Sequence, residues 1–184
     1  MRQFRKLFCL ALSLTMTIVV FTAGVGAASS HGKDVSAHKS CRYCGMDREK
    51  FAHSRMLIEF EDGTTVATCS LHCVAVDLAN NIDKAPKSIT VADYSTKQLI
   101  DAEKAYWVIG GSKQGVMTRN AKWAFAAKDT AEAFMKENGG RLASFDEAIK
   151  SAYEDMYTDT KMIRDKRKQM KMKRDGHAKG SDMK

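Results

Sequence analysis

Two thiol pairs constrain this chain more than anything else in it. Cys41-Arg42-Tyr43-Cys44-Gly45-Met46 opens the constraint and Cys69-Ser70-Leu71-His72-Cys73 closes it, so four of the five cysteines fall inside one stretch. A C-x2-C and a C-x3-C pair joined by a short antiparallel segment form a metal-clamp pattern. Cys41 and Cys44 both point inward from a tight turn if Gly45 supplies a positive φ. Cys69 and Cys73 stand at i and i+4, and share one face if both lie on a helix.

The compartment decides what such thiols mean. Arg2, Arg5 and Lys6 precede an apolar run from Leu7 to Val25, and small residues follow through Ala28. Residues 1–28 therefore read as a signal peptide, with an uncleaved membrane anchor as the alternative, because the run is long enough to span a bilayer. Cys9 lies too early in this segment for a lipoprotein attachment site. The expectation is a periplasmic protein. There, four cysteines can also close two disulfides. A C-x2-C bridge restricts the unfolded chain little, however, and a body of this size buries a core without staples.

Charge is unevenly distributed. The formal charge is +8, of which the export segment carries three positive charges. Residues 161–184 hold seven lysines and three arginines against three aspartates, which leaves the body slightly acidic. A basic tail on an acidic, exported body argues against nucleic acid as a partner.

Residues 29–40, with His31 and His38, read as a flexible lead-in. Met56–Phe60 and 64–68, joined by Glu61-Asp62-Gly63, read as a hairpin. Leu71, Val74, Ala75 and Leu78 follow with helical period, Ser70 standing at the N-cap. A strand over 88–91 completes a ββαβ unit, 41–98. The same grammar recurs over 99–156: strands at 105–109 and 122–126, a helix at 129–138 ending in a left-handed Gly139-Gly140 cap, a strand at 141–143, and a helix from Phe145 to about Met156 opened by Ser144. The expected fold is α+β: two related ββαβ units in tandem, a knuckle-like C-x2-C turn at the start, and a helical basic extension. Residues 157–184 form a lysine- and methionine-rich tail that frays beyond the last helix.

Thiolate and thioether sulfurs select Cu(I), or zinc where thiolates alone close a tetrahedron. Cys44 and Met46 flank one glycine, His53 follows on a short segment, and His72 adjoins Cys73. The candidate metal ligands are thus Cys41, Cys44, Met46, His53, Cys69, His72 and Cys73. Cu(I) is preferred, and the alternative is zinc or another heavy metal held at a structural four-cysteine site. No Ser-His-Asp order, paired acid motif or phosphate loop points to catalysis. The C-x2-C pair also lacks the βαβ setting of a thiol oxidoreductase, which stays as a further alternative.

These residues carry a resemblance. Cys-x-x-Cys-Gly-Met, the Asp-Gly hairpin and Cys-Ser-Leu-His-Cys resemble the NosL family. So do Ala105-Tyr106-Trp107-Val108-Ile109, the loop around Met117, and the stretch from Phe134 through Asn138-Gly139-Gly140 to Phe145-Asp146-Glu147-Ala148. The resemblance implies extracytoplasmic Cu(I) binding by a non-enzymatic chaperone. It implies delivery to a cuproenzyme or copper-assembly client, such as that of nitrous-oxide reductase, with a membrane-associated transporter as a further partner. It adds Met117 to the ligand candidates and puts Cys44, Met46 and Met117 first. The Cys69/Cys73 pair departs from that family and resembles the cysteine arrangement of TRASH-type domains. The long basic tail and the missing lipoprotein cysteine depart from it as well.

Overall fold

The computed structural model describes residues 32–181; residues 1–28, expected from sequence to be a signal peptide and including Cys9, and His31 lie outside them. The chain runs α1 (Lys33–Ala37), β1 (Met56–Phe60), β2 (Thr65–Thr68), α2 (Leu71–Asn80), β3 (Pro86–Ala92) and β4 (Leu99–Asp101). It continues with β5 (Tyr106–Ile109), β6 (Lys122–Phe125), α3 (Lys128–Asn138), β7 (Arg141–Ala143) and α4 (Phe145–Ser181). The strands make two antiparallel sheets, ordered β2-β1-β3-β4 and β6-β5-β7. In each sheet the first strand of a ββαβ unit lies between its hairpin partner and the strand that follows the helix. The expected duplication is therefore present in topology as well as in pattern.

Local chemistry accounts for most of these elements. Gly63 has φ 80° in the β1–β2 turn, where the Asp62 carboxylate accepts the Thr64 N–H at 2.8 Å. Ser144 and Glu147 make a reciprocal capping box at α4: the Glu147 N–H donates to Ser144 Oγ and the Ser144 N–H to Glu147 Oε2. Strand β1 alternates Met56, Ile58 and Phe60 inward, and these pack with Leu71 and Val74 of α2 and Val91 of β3. Trp107 of β5 and Phe145 of α4 join the same cluster, so one core ties both sheets together. Each such side chain contributes roughly 1.5–3 kcal/mol by leaving water.

Four local features differ from the sequence expectation. Lys33–Ala37 is a helix and not an open lead-in, because Asp34 is drawn inward by two buried arginines. Residues 99–101 form β4, which pairs with β3 in the first sheet. The expected helical extension is present but does not fray after Met156: it is one helix with residues 145–156, anchored by Asp155 and Asp159 to the β5–β6 loop and the start of β6. Gly139 has φ 72° with ψ −161°, a positive-φ cap outside the left-handed helical region.

Gly140 shows why that corner needs glycine. Its φ is +99°, and a Cβ there would stand 2.8 Å from Val108 Cγ1 and 3.0 Å from the Ile109 carbonyl oxygen. Gly140→Ala is expected to cost about 1–3 kcal/mol, read as a lower urea midpoint at unchanged slope.

Candidate metal centre

The C-x2-C segment closes on itself before it meets anything else. The Cys41 N–H donates to the Met46 carbonyl at 2.8 Å and the Gly45 N–H to the Cys41 carbonyl at 3.0 Å. Gly45 sits at φ 75°, as the turn requires. The Arg42 N–H then donates to the Ala67 carbonyl at 3.0 Å, which holds this knuckle against β2. The second pair arrives by a route the spacing did not give. Cys69 precedes α2, while Cys73 lies in its first turn, so the two do not share a helix face. The bend at Ser70, the N-cap in extended conformation, brings them together; its hydroxyl does not cap the helix.

The four sulfurs converge. The Sγ atoms of Cys41, Cys44, Cys69 and Cys73 all lie within 4.8 Å of one another. Cys44 and Cys69 are 3.4 Å apart and Cys69 and Cys73 3.9 Å apart, all as free thiols. Cys41, Cys69 and Cys73 are buried, while Cys44 is half-buried at the edge.

So close a set cannot ionise independently. The Cys41 thiol is pushed down because Cys44 and then Cys69 and Cys73 hydrogen-bond to its sulfur. Cys69 and Cys73 are pushed up, first by Cys41 and Cys44 beside them, with burial acting the same way. Cys44 is opposed by Cys41 but drawn below the ordinary thiol value by Cys69 and Cys73. The two knuckle thiols therefore ionise before Cys69 and Cys73, which need a cation to offset them. A soft metal ion is the chemistry that resolves this conflict.

The second unit, which has no cysteine, builds the wall. Val108, Val116, Ala121, Trp123, Phe125 and Phe134 pack with the thiols in one apolar cluster. The site therefore lies where the duplicated halves meet. That arrangement excludes water from three of the four sulfurs and leaves Cys44 facing a cleft of about 570 Å³.

Met46, His53 and Met117 line the same cleft as Cys44. Met117 has φ 63°, a conformation that costs a non-glycine residue about 1–3 kcal/mol and that collects at functional sites. His53 packs its ring against Trp123 at 5.5 Å and Tyr94 at 5.8 Å. Burial, followed by Lys97 and Lys113, pushes its pKa down, which keeps the imidazole neutral and able to coordinate. His72 is different. It is buried toward α4, its Nδ1 is 3.7 Å from Asp159 Oδ2, and it does not join the four sulfurs. Sequence reasoning missed Met162 and Met170 as lining residues of this cleft, because only a helix carried past Met156 brings them there.

Fold and site together define a small α+β protein with a four-thiol cluster of the soft-metal class. The NosL family model matches residues 33–153, and the chain belongs to that family. A curated relative, the HTH-type transcriptional repressor CutR of Bacillus subtilis, is 29% identical over 121 residues, which is 66% of this chain. The matched part spans 60% of that relative's length. A solved structure, the copper chaperone NosL from Shewanella denitrificans, is similar with 25% identity and a TM-score of 0.49, over 59% of this chain and 87% of that one.

Proposed function

We propose that this protein is an exported Cu(I) carrier that captures the ion at Cys41, Cys44, Cys69 and Cys73 and passes it, past Met46 and Met117, to a cuproenzyme-assembly client. The observation that carries this reading is the convergence of four thiols beside a cleft lined by further soft donors. Membership of the NosL family supports copper as the ion and nitrous-oxide reductase assembly as the destination. The basic and then apolar N-terminal segment supports export to the periplasm. Among the described residues no helix is long and apolar enough to cross a membrane. No catalytic step is assigned. Cys41 and Cys44 sit in a turn and not at the start of a helix, unlike the pair of a thioredoxin-like oxidoreductase.

A Cu(I) competition titration on the anaerobically reduced protein tests this. Tight binding of at least one equivalent is expected, and Cys41→Ala with Cys44→Ala should lower affinity by about 100-fold or more, since even outer-shell partners of metal ligands cost 10–100-fold. Unchanged affinity in that variant would remove the assignment.

One observation favours zinc as a second reading. Zn–S bonds of about 2.3 Å imply tetrahedral edges of about 3.8 Å, close to the 3.4 and 3.9 Å separations here. Zinc that stays bound while copper loads would place the two metals at different donors.

A further inference from the structure

Helix α4 runs well beyond the residues that match the family, which end at 153. Its continuation covers the open side of the cleft at Cys44. Met162, Lys166 and Met170 are spaced i, i+4, i+8 and form one row along the helix, and all three line the cleft. The helix is held firmly there. Asp155 accepts from Lys122 Nζ at 2.6 Å and from Asn120 Nδ2 at 2.9 Å, and Asp159 accepts the Arg119 N–H at 3.1 Å. Farther along, Arg167 Nη2 donates to the Cys44 carbonyl at 3.1 Å, which ties α4 to the thiol knuckle itself.

We propose that Met162 and Met170 make the cleft a thioether path for a soft monovalent cation, with Met46 and Met117 as the facing donors. The path starts at Cys44, the one thiol that lines this cleft, and leads away from the three buried sulfurs. Eight residues of helix span about 12 Å, so the two thioethers are successive steps and not one closed cage. Met170 is 62% exposed and stands at the solvent end. Thioethers are neutral, do not titrate, and bind Cu(I) or Ag(I) in preference to zinc. Lys166 and Arg167 place positive charge on the same cleft, which weakens retention of a cation and suits transit over storage. This inference rests on the reading of the chain as a Cu(I) carrier.

The test uses the full chain, reduced and anaerobic, with methyl-13C methionine, titrated with Ag(I) and separately with Zn(II). A first equivalent of Ag(I) should bind at the thiols. A second, weaker equivalent should shift the Met162 and Met170 methyl resonances, with an affinity that changes little between pH 6 and 8, and Zn(II) should not move these methyls. Met162→Leu with Met170→Leu keeps apolar volume. It should retain the first equivalent and weaken the second by about tenfold or more. If the first equivalent binds but the methyls stay still, or the leucine variant keeps the second at full strength, α4 is only an apolar cover and the path is overturned. Absence of the first equivalent with the methyl shifts intact would sink the thiol carrier reading and leave the path standing.

Discussion

Asp34→Asn is expected to destabilise the protein by about 3–5 kcal/mol, the usual cost of removing one member of a buried ion pair. Asp34 lies between two fully buried guanidiniums. Arg48 Nη2 donates to Asp34 Oδ2 at 2.9 Å, while Arg55 donates through Nε to Oδ2 at 2.8 Å and through Nη2 to Oδ1 at 3.1 Å. The arginines spend their other donors on backbone carbonyls: Arg48 on Asp34, His38, Met56 and Thr68, Arg55 on the nearby Ala52 and the distant Lys97. Loss of the carboxylate charge leaves two buried cations under-compensated at the centre of that web. Urea unfolding of the reduced apo-protein measures the loss, as a lower midpoint at unchanged slope.

The same carboxylate predicts a pH dependence. Burial pushes the Asp34 pKa up, but Arg55 and then Arg48 outweigh it, so the folded value lies below the ordinary 3.8. A depressed carboxylate stabilises the fold above its unfolded pKa and loses that contribution as pH falls through the folded one. Wild type should therefore shed this increment below about pH 4, and Asp34→Asn should show a flatter acid limb. An equally steep limb in the variant would assign the acid sensitivity to other carboxylates.

The network also reaches the metal centre. The Arg48 N–H donates to the Lys39 carbonyl at 2.9 Å, and Ser40 pairs with Asp47 across the base of the C-x2-C knuckle. A loosened Asp34 web should weaken metal binding as well. Saturating metal should recover part of the lost stability, because the ion binds the folded state.

Sequence made the hairpins, the duplicated ββαβ order and the thiol pairs legible, since each rests on local signals: Asp62-Gly63, helical period after Ser70, C-x2-C spacing. It did not reveal α1. Five residues have little helical drive of their own, and Asp34 is organised by arginines 14 and 21 positions away. The basic extension was legible as helical, but its fusion with residues 145–156 into one anchored helix was not, because Asp155 and Asp159 bond to residues 33 to 40 positions earlier. The same limit separates His53 from His72. Both lie within or beside the clamp in sequence, but packing against Tyr94 and Trp123 sets one in the cleft, while the other is buried at the start of α2 with Nδ1 3.7 Å from Asp159 of α4. Nothing in the cysteine spacing could show that the cysteine-free unit supplies the apolar wall of the site.

Within the cluster, Cys69→Ser should produce the largest loss of metal affinity of any single substitution, about 100-fold or more. Cys69 is fully buried and its sulfur is in contact with both Cys44, 3.4 Å away, and Cys73, 3.9 Å away. It therefore links the solvent-facing sulfur to the one on α2. The Ser54 hydroxyl donates to the Cys69 carbonyl at 2.8 Å and holds its backbone, so a serine should keep the fold while offering a hard oxygen in place of a soft sulfur. Circular dichroism and the urea midpoint check that the variant is folded. The pattern over all four serine variants then identifies the metal. Three sulfurs suffice for a low-coordinate Cu(I) ion, so one of the four variants should stay within about tenfold of wild type. A closed zinc tetrahedron needs every thiolate, and all four variants should then fall by about 100-fold together. A Cys69→Ser protein that binds Cu(I) and zinc as tightly as wild type would show that these sulfurs converge for packing alone.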